Sequence, residues 1–395
     1  MELLPKPEAQ DRLHKIQAWM QDAAVDAVLV FQNADLYYFS GTVQAGLLCL
    51  PASGEPLFLV QKSLTRARGE SPWERLVQLP GLKKAPDLLA SEGIRNLKRI
   101  GLEMDVLPVS YYMRIRDLFP AAELTDASEA IRRIRMIKSE YEIGYIRRAA
   151  AILQQGFRDI PGWMRPGMTE LEILAHLEGR LRQLGHQGLT RMRGFNYEIS
   201  YGTISIGSSA SQPTSFPGPV GFTGLYAAVP GGGSERRLLP GDTLMADIVG
   251  GCGGYIADKT RVFVLGDPPP DMVEAQDFIL GLTGEIESML RPGTPCEQLW
   301  RLALEKVNRT PYAEGFMGLG DSRVRFLGHG VGLELNELPV LAEGFSCPLE
   351  RGMTIAVEPK IFFAGRGGVG IENTYVITGD GFEKLTVFPE HLIRV

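Results

Sequence analysis

Histidine and cysteine are both scarce in this chain, and each scarcity narrows its chemistry. Five histidines and four cysteines are spread over 395 residues. The cysteines, Cys49, Cys252, Cys296 and Cys347, form no Cys-x-x-Cys pair, so no thiolate metal site or dithiol motif is expected. Reduced thiols in a cytoplasmic protein are the plain expectation. Cys252 is read as a small residue in a glycine turn rather than as a ligand. No apolar run reaches the roughly 18 residues of a membrane span, and no membrane partner is expected. The leading MELLPKPEAQDRL has no apolar core of a secretion signal. Positive charge is also short, with 41 Lys and Arg against 47 Asp and Glu, a net charge of -6. Without a local basic cluster, nucleic acid is excluded as an expected partner.

What is present is the composition of an ordinary soluble globular protein, at a length that suits two domains. In the first third, Asp11 to Ala24 has helical apolar spacing (Leu13, Ile16, Met20), followed by a buried strand over Asp26 to Phe31. Further strands are predicted at Leu47 to Leu50, Pro56 to Val60, Arg99 to Glu103 and Ala122 to Thr125. Helices are predicted at Ala85 to Ser91 and Pro108 to Leu118. The alternation implies a small α/β domain ending near Arg133, giving domains 1–134 and 135–395. His14 is expected in solvent, and Tyr37, Tyr38 and Phe39 in packing.

The second portion opens with Ser139 and Glu142 at capping-box spacing before a long helix. Two Arg-Pro-Gly turns, at Arg165 to Gly167 and Arg291 to Gly293, each lie between two helices and precede a glycine-rich strand region. This repeated order is a duplication signal, and it predicts two related α/β halves with a site drawing ligands from both. Between them, Tyr197 to Pro240 is rich in Gly, Ser and Pro and long for a compact domain. Strand-like pieces are expected within it at Ile199 to Ile206 and Leu225 to Val229.

Four carboxylates stand in strand-like apolar surroundings: Asp247, Asp258, Glu358 and Glu372. Asp247 and Asp258 are eleven positions apart across Gly250-Gly-Cys-Gly-Gly, a spacing at which they can face each other on a hairpin. Buried bare, each would cost several kcal/mol. Lys259, Arg261 and Lys360 are the only nearby cations in sequence, too few to neutralise them. Two divalent cations would compensate the four acids, with His329, in Gly328-His-Gly-Val-Gly, completing the donor set. Oxygen and imidazole donors suit Mn²⁺, Co²⁺, Fe²⁺ or Zn²⁺, and such a pair performs metal-assisted hydrolysis.

With these motifs the chain resembles the aminopeptidase P, prolidase and creatinase family, the M24 metallopeptidases with the pita-bread fold. The resemblance runs over nearly the whole chain. It implies a creatinase-like N-terminal domain, a duplicated catalytic domain and a homodimer. The metal ligands it implies are Asp247, Asp258, His329, Glu358 and Glu372, holding two ions, most often Mn²⁺ or Co²⁺. The activity implied is Xaa-Pro aminopeptidase or dipeptidase action on proline-containing peptides, with a bridging hydroxide as nucleophile and Glu358 as ligand and proton acceptor.

The chain departs from that pattern in three places. A family histidine in His-Glu-x-Pro is Asn336 here, followed by Glu337, Leu338 and Pro339; Asn336 and Glu337 join Glu358 as candidate catalytic residues. An amide donates a hydrogen bond but cannot serve as an imidazolium acid. A second family histidine has Pro230 in its place, and a common arginine two before the last glutamate is Gly370. These losses leave open a non-peptidase enzyme acting on a small metabolite, by creatinase-like C–N hydrolysis or a lyase reaction. A non-catalytic binding protein is a further alternative. Of the remaining residues, His176 is expected at core or surface, His186 as a helix cap, and Arg191 or Arg193 as possible partners of a substrate carboxylate.

Overall fold

A computed structural model describes residues 2–395. The chain divides into two compact units, Met1–Arg135 and Met136–Val395. The N-terminal unit has helices α1 (Lys6–Asp22), α2 (Asn33–Ser40), α3 (Leu64–Glu70), α4 (Ala85–Ser91) and α5 (Val109–Leu118). Its strands are β1 (Ala27–Val30), β2 (Gly46–Pro51), β3 (Leu57–Val60), β4 (Leu76–Gln78), β5 (Arg99–Leu102) and β6 (Glu123–Asp126). They form one mixed sheet in the order β4-β3-β2-β1-β5-β6. β1 and β3 are buried at every position, as expected of strands covered on both faces. Tyr38 and Phe39 are core residues, and His14 is exposed. Asp35, fully buried, is held by Arg135, so it serves the fold of this unit.

Helix α6 (Ser128–Met136) leads to the second unit, which contains α7 (Glu140–Trp163), α8 (Glu170–Gln183), α9 (Pro270–Glu287) and α10 (Cys296–Val307). Ser139 and Glu142 do form the capping box at the start of α7. Strands β7 (Gly202–Ile206), β8 (Thr243–Cys252) and β9 (Tyr255–Val264) belong to the first half. Strands β10 (Phe326–Gly330), β11 (Glu337–Ala342), β12 (Thr354–Val357), β13 (Lys360–Phe363), β14 (Gly367–Gly370), β15 (Asn373–Ile377) and β16 (Phe382–Lys384) belong to the second, and β17 (Ile393–Arg394) returns to the first sheet. The two main sheets are ordered β17-β9-β8-β7 and β11-β10-β12-β15-β16, with β13-β14 a separate pair.

The halves are related in detail. Gly167 and Gly293, both at positive φ, each donate from the backbone to a carbonyl beyond the following helix, Leu238 and Leu349 respectively. Isolated bridges Thr169–Arg237 and Pro295–Pro348 repeat the same closure. This is the duplicated α/β arrangement that the two Arg-Pro-Gly turns predict. The sheets are stitched together where they meet: Glu372 N–H donates to Thr260 O at 3.2 Å, and Asp258 N–H to Thr374 Oγ1 at 2.8 Å. α7 lies directly on β8, where a Cβ at Gly250 would stand 2.5 Å from the Ala149 carbonyl.

One expected strand is absent. Leu225 to Val229 makes only a single bridge between Tyr226 and Val229, because Pro230 follows and Gly224 turns back against its carbonyl. The cysteines are all free, yet Cys296 and Cys347 are neighbours in space, their sulfurs 3.7 Å apart. Among the described residues no helix is long and apolar enough to cross a membrane.

Candidate metal centre

The site grows from a register. On the β8–β9 hairpin Asp247 is opposite Thr260 and Asp258 is opposite Val249. The two acids therefore lie two residues apart along one face of the pleat. Glu358 follows β12 and Glu372 precedes β15 at the end where Val357 pairs with Asn373. His329 is on β10, opposite Ala356. All five predicted ligands thus converge from both halves onto one wall of a cavity of about 780 Å³. They divide into two donor groups, Asp258/His329/Glu372 and Asp247/Glu358/Glu372, with the donor atoms of each group within 4.8 Å of one another.

The first group is aimed but unfilled by the protein. His329 Nδ1 lies 3.0 Å from the Gly330 carbonyl, which only accepts, so Nδ1 carries the proton and Nε2 presents its lone pair. Nε2 is 3.9 Å from Glu372 Oε1, a buried oxygen without a hydrogen-bond donor. Burial holds the His329 pKa below its ordinary value. Burial, then the nearby Glu372, Asp247 and Glu358 charges, pushes Asp258 well above the usual carboxylate range. Burial raises Glu372 to about 8 and Glu358 to about 7, against the opposing pull of Lys360. Burial and mutual repulsion thus outweigh the one ammonium beside these acids. A divalent cation with oxygen and imidazole preference fits the Asp258/His329/Glu372 group on these observations.

The second group already has a cation. Lys360, completely buried, places Nζ 2.8 Å from Asp247 Oδ2, 2.8 Å from Glu358 Oε2 and 3.5 Å from Glu372 Oε2. Burial alone would lower its pKa, but the three carboxylates outweigh burial and raise it. Sequence proximity made Lys360 visible as a nearby cation, whereas its direction into the acids depends on the β13–β14 pair. Arg261 is the other residue whose part could not be read. Fully buried, it donates to the Glu372 carbonyl at 2.9 Å and to Asn373 Oδ1 at 2.7 Å, fixing the backbone where Glu372 leads into β15.

The outer residues separate. Asn336, at φ 62°, and Pro230 both line the cavity, so the places of the two missing histidines do face the site. Glu337 does not line it. Its carboxylate instead accepts from Lys138 Nζ at 3.1 Å and from Glu334 N–H at 3.0 Å, bracing the turn before β11. Arg193 is beside Glu334 at 3.5 Å, and neither it nor Arg191 lines the cavity. His186 is buried structure, with Nε2 3.0 Å from the Val249 carbonyl and Nδ1 accepting from Gly188 N–H. His176 is exposed and stacks on Trp163. Cys252 is not in the lining. The long Gly/Ser/Pro segment supplies most of the remaining wall, including Tyr197, Phe216 and Phe222, and Phe195 just before it adds to the lining.

Known proteins share this architecture. The model of metallopeptidase family M24 matches residues 144–379, and that of the creatinase/prolidase N-terminal domain matches residues 12–137. An Xaa-Pro dipeptidase of Pyrococcus horikoshii is 26% identical over 388 residues, covering 97% of this chain and 99% of the relative. The structure of an Xaa-Pro dipeptidase from Bacillus anthracis superposes with a TM-score of 0.83 at 25% identity, covering 98% of this chain and 100% of that one. An X-Pro aminopeptidase from Thermotoga maritima gives 0.79 at 25% identity, over 94% and 98%. With both domains matched in order, and the first of these models covering more than half of the chain, the chain belongs to metallopeptidase family M24.

Proposed function

We propose that the protein is a divalent-metal-dependent hydrolase that cleaves peptides of the Xaa-Pro type. The observation that carries this reading is the convergence of Asp247, Asp258, His329, Glu358 and Glu372, from both halves, on the wall of one cavity. An intact donor set disfavours the non-catalytic alternative, and the relatives' names favour peptide over small-metabolite chemistry. Mn²⁺ or Co²⁺ suits the donors best, with Zn²⁺ or Fe²⁺ as further fits. The homodimer and the cytoplasmic setting rest on family resemblance, the latter joined by four free cysteines.

A bound divalent ion supplies an acidified water and polarises a carbonyl. The chain's own residues do the rest. Asp258, Glu372 and the Nε2 of His329 would hold the ion. Glu358 gives Oε2 to Lys360 and turns Oε1 toward the cluster, 3.7 Å from His329 Nε2. With its pKa raised to about 7, that carboxyl suits accepting a proton and returning it to the leaving amine near neutral pH. Asn336 offers an amide donor for a substrate carbonyl. Asn336→His should be tolerated at its positive φ and should raise kcat for an Xaa-Pro peptide about tenfold by restoring an acid. An unchanged rate would show that position 336 stays out of proton transfer.

Among the described residues the cavity lining has several carboxylates and no Lys or Arg. It therefore favours a substrate's ammonium terminus and offers no cation to a free C-terminal carboxylate. In an assay of metal-loaded protein, Xaa-Pro-amides and Xaa-Pro-Xaa tripeptides should be cleaved at least as well, in kcat/KM, as the free Xaa-Pro acids. Failure to cleave any of these would defeat the Xaa-Pro reading, and a strong preference for the free acid would defeat the reading of the lining.

A further inference from the structure

We infer that this centre binds one divalent ion, at Asp258, His329 and Glu372, and that the Lys360 ammonium takes the second cation position, among Asp247, Glu358 and Glu372. The inference deepens the metal-dependent reading above but stands on donor geometry alone. The two donor groups share only Glu372. Lys360 Nζ is within 3.5 Å of an oxygen from every member of the second group. The oxygens it uses, Asp247 Oδ2 and Glu358 Oε2, are among those a second ion would need. A divalent ion there would have to displace a fully buried ammonium or lie in contact with it, a like-charge pair with little solvent to screen it. In the first group, by contrast, Glu372 Oε1 is buried without a hydrogen-bond donor and the Nε2 lone pair of His329 points toward it.

The backbone is arranged for this cation. Lys360 and Gly370 are direct partners across the β13–β14 pair. Gly370 has φ 152°, and a Cβ there would stand 2.7 Å from Lys360 Cγ and 2.7 Å from the Pro359 carbonyl. Any larger residue at 370 would thus crowd the stem of Lys360. The charge count agrees. Four carboxylates, one ammonium and one divalent ion leave a single net negative charge, whereas two divalent ions beside Lys360 would leave the buried cluster with a net positive one.

The test counts metal without substrate. Full-length protein is stripped with chelator, equilibrated with Mn²⁺, freed of excess and analysed for bound metal by atomic emission, with low-temperature electron paramagnetic resonance on the same sample. One ion per chain is expected, with the hyperfine-split signal of an isolated Mn²⁺. Lys360→Ala should take up a second ion and show the signal of an exchange-coupled pair. Asp258→Ala should lose the ion, while Asp247→Ala should keep it. Two coupled ions in the natural protein would overturn the inference, as would none at saturating Mn²⁺. A folded Lys360→Ala protein still holding one ion would also overturn it. If Lys360→Ala does not fold, the count in the natural protein and the contrast between positions 258 and 247 decide. Because no peptide is present, a protein that holds one ion yet cleaves no Xaa-Pro bond would sink the proposed activity and leave this inference intact.

Discussion

Replacement of His329 or Asp258 by alanine should lower kcat/KM for an Xaa-Pro substrate by about three orders of magnitude or more. The ion these residues would hold supplies several kcal/mol of charge stabilisation, and each 1.36 kcal/mol is about tenfold in rate. The stability effect should have the opposite sign in the stripped protein. Asp258 is buried among Glu372, Asp247 and Glu358, and burial and those charges push its pKa well up. Removing it relieves that repulsion, so Asp258→Ala should melt higher than the natural protein in chelator and lose the stabilisation that Mn²⁺ confers on the natural protein. Steady-state kinetics and thermal melts with and without Mn²⁺ check both parts. A variant that keeps its activity and its Mn²⁺-dependent melting shift would remove Asp258 from the metal site.

Lys259→Met should stabilise the protein by about 4 kcal/mol near pH 7.5 and by progressively less as the pH rises. Lys259 is completely buried with no hydrogen-bond partner for Nζ, which lies over the Phe157 and Phe388 rings at 5.4 and 4.6 Å. Burial, reinforced by the neighbouring Arg261 charge, drives its pKa from 10.5 down to about 6. Between those values the unfolded chain binds a proton that the native chain does not, so stability rises with pH across that window. About three pH units below the unfolded pKa, the deficit is on the order of 4 kcal/mol at 1.36 kcal/mol per unit. Methionine fills similar space without the amine. Denaturant unfolding from pH 7 to pH 10 reads the difference. A Met variant less stable at every pH would mean that Lys259 stays charged in the fold, held by the two rings.

The donor residues are legible in the sequence because a carboxylate in an apolar strand is costly, and four of them beside Gly-His-Gly-Val-Gly form a pattern that packing alone does not generate. Asp247 and Asp258 share one face because the two-residue turn at Gly253 and Gly254 sets the β8–β9 register that brings Val249 opposite Asp258. The duplicated halves are legible from the two Arg-Pro-Gly turns, whose glycines close equivalent loops. The direction of a long flexible side chain is not legible. Lys360 and Lys259 both stand near the acids in sequence, yet one is clasped by carboxylates and the other faces two phenyl rings. That difference arises from which strand pair carries each residue. The placement of Glu337 is illegible for the same reason, since its carboxylate pairs with Lys138, distant in sequence, and is not in the cavity lining.

Metal-dependent Xaa-Pro cleavage is tested most directly by following release of the N-terminal residue from an Xaa-Pro-Xaa tripeptide while Mn²⁺ is titrated into chelator-stripped protein. Release should be absent without metal and should rise and saturate with Mn²⁺, and the matched peptide with alanine in place of proline should be cleaved far more slowly. Release that is indifferent to metal, or fully metal-loaded protein that leaves the Xaa-Pro bond intact, would contradict it.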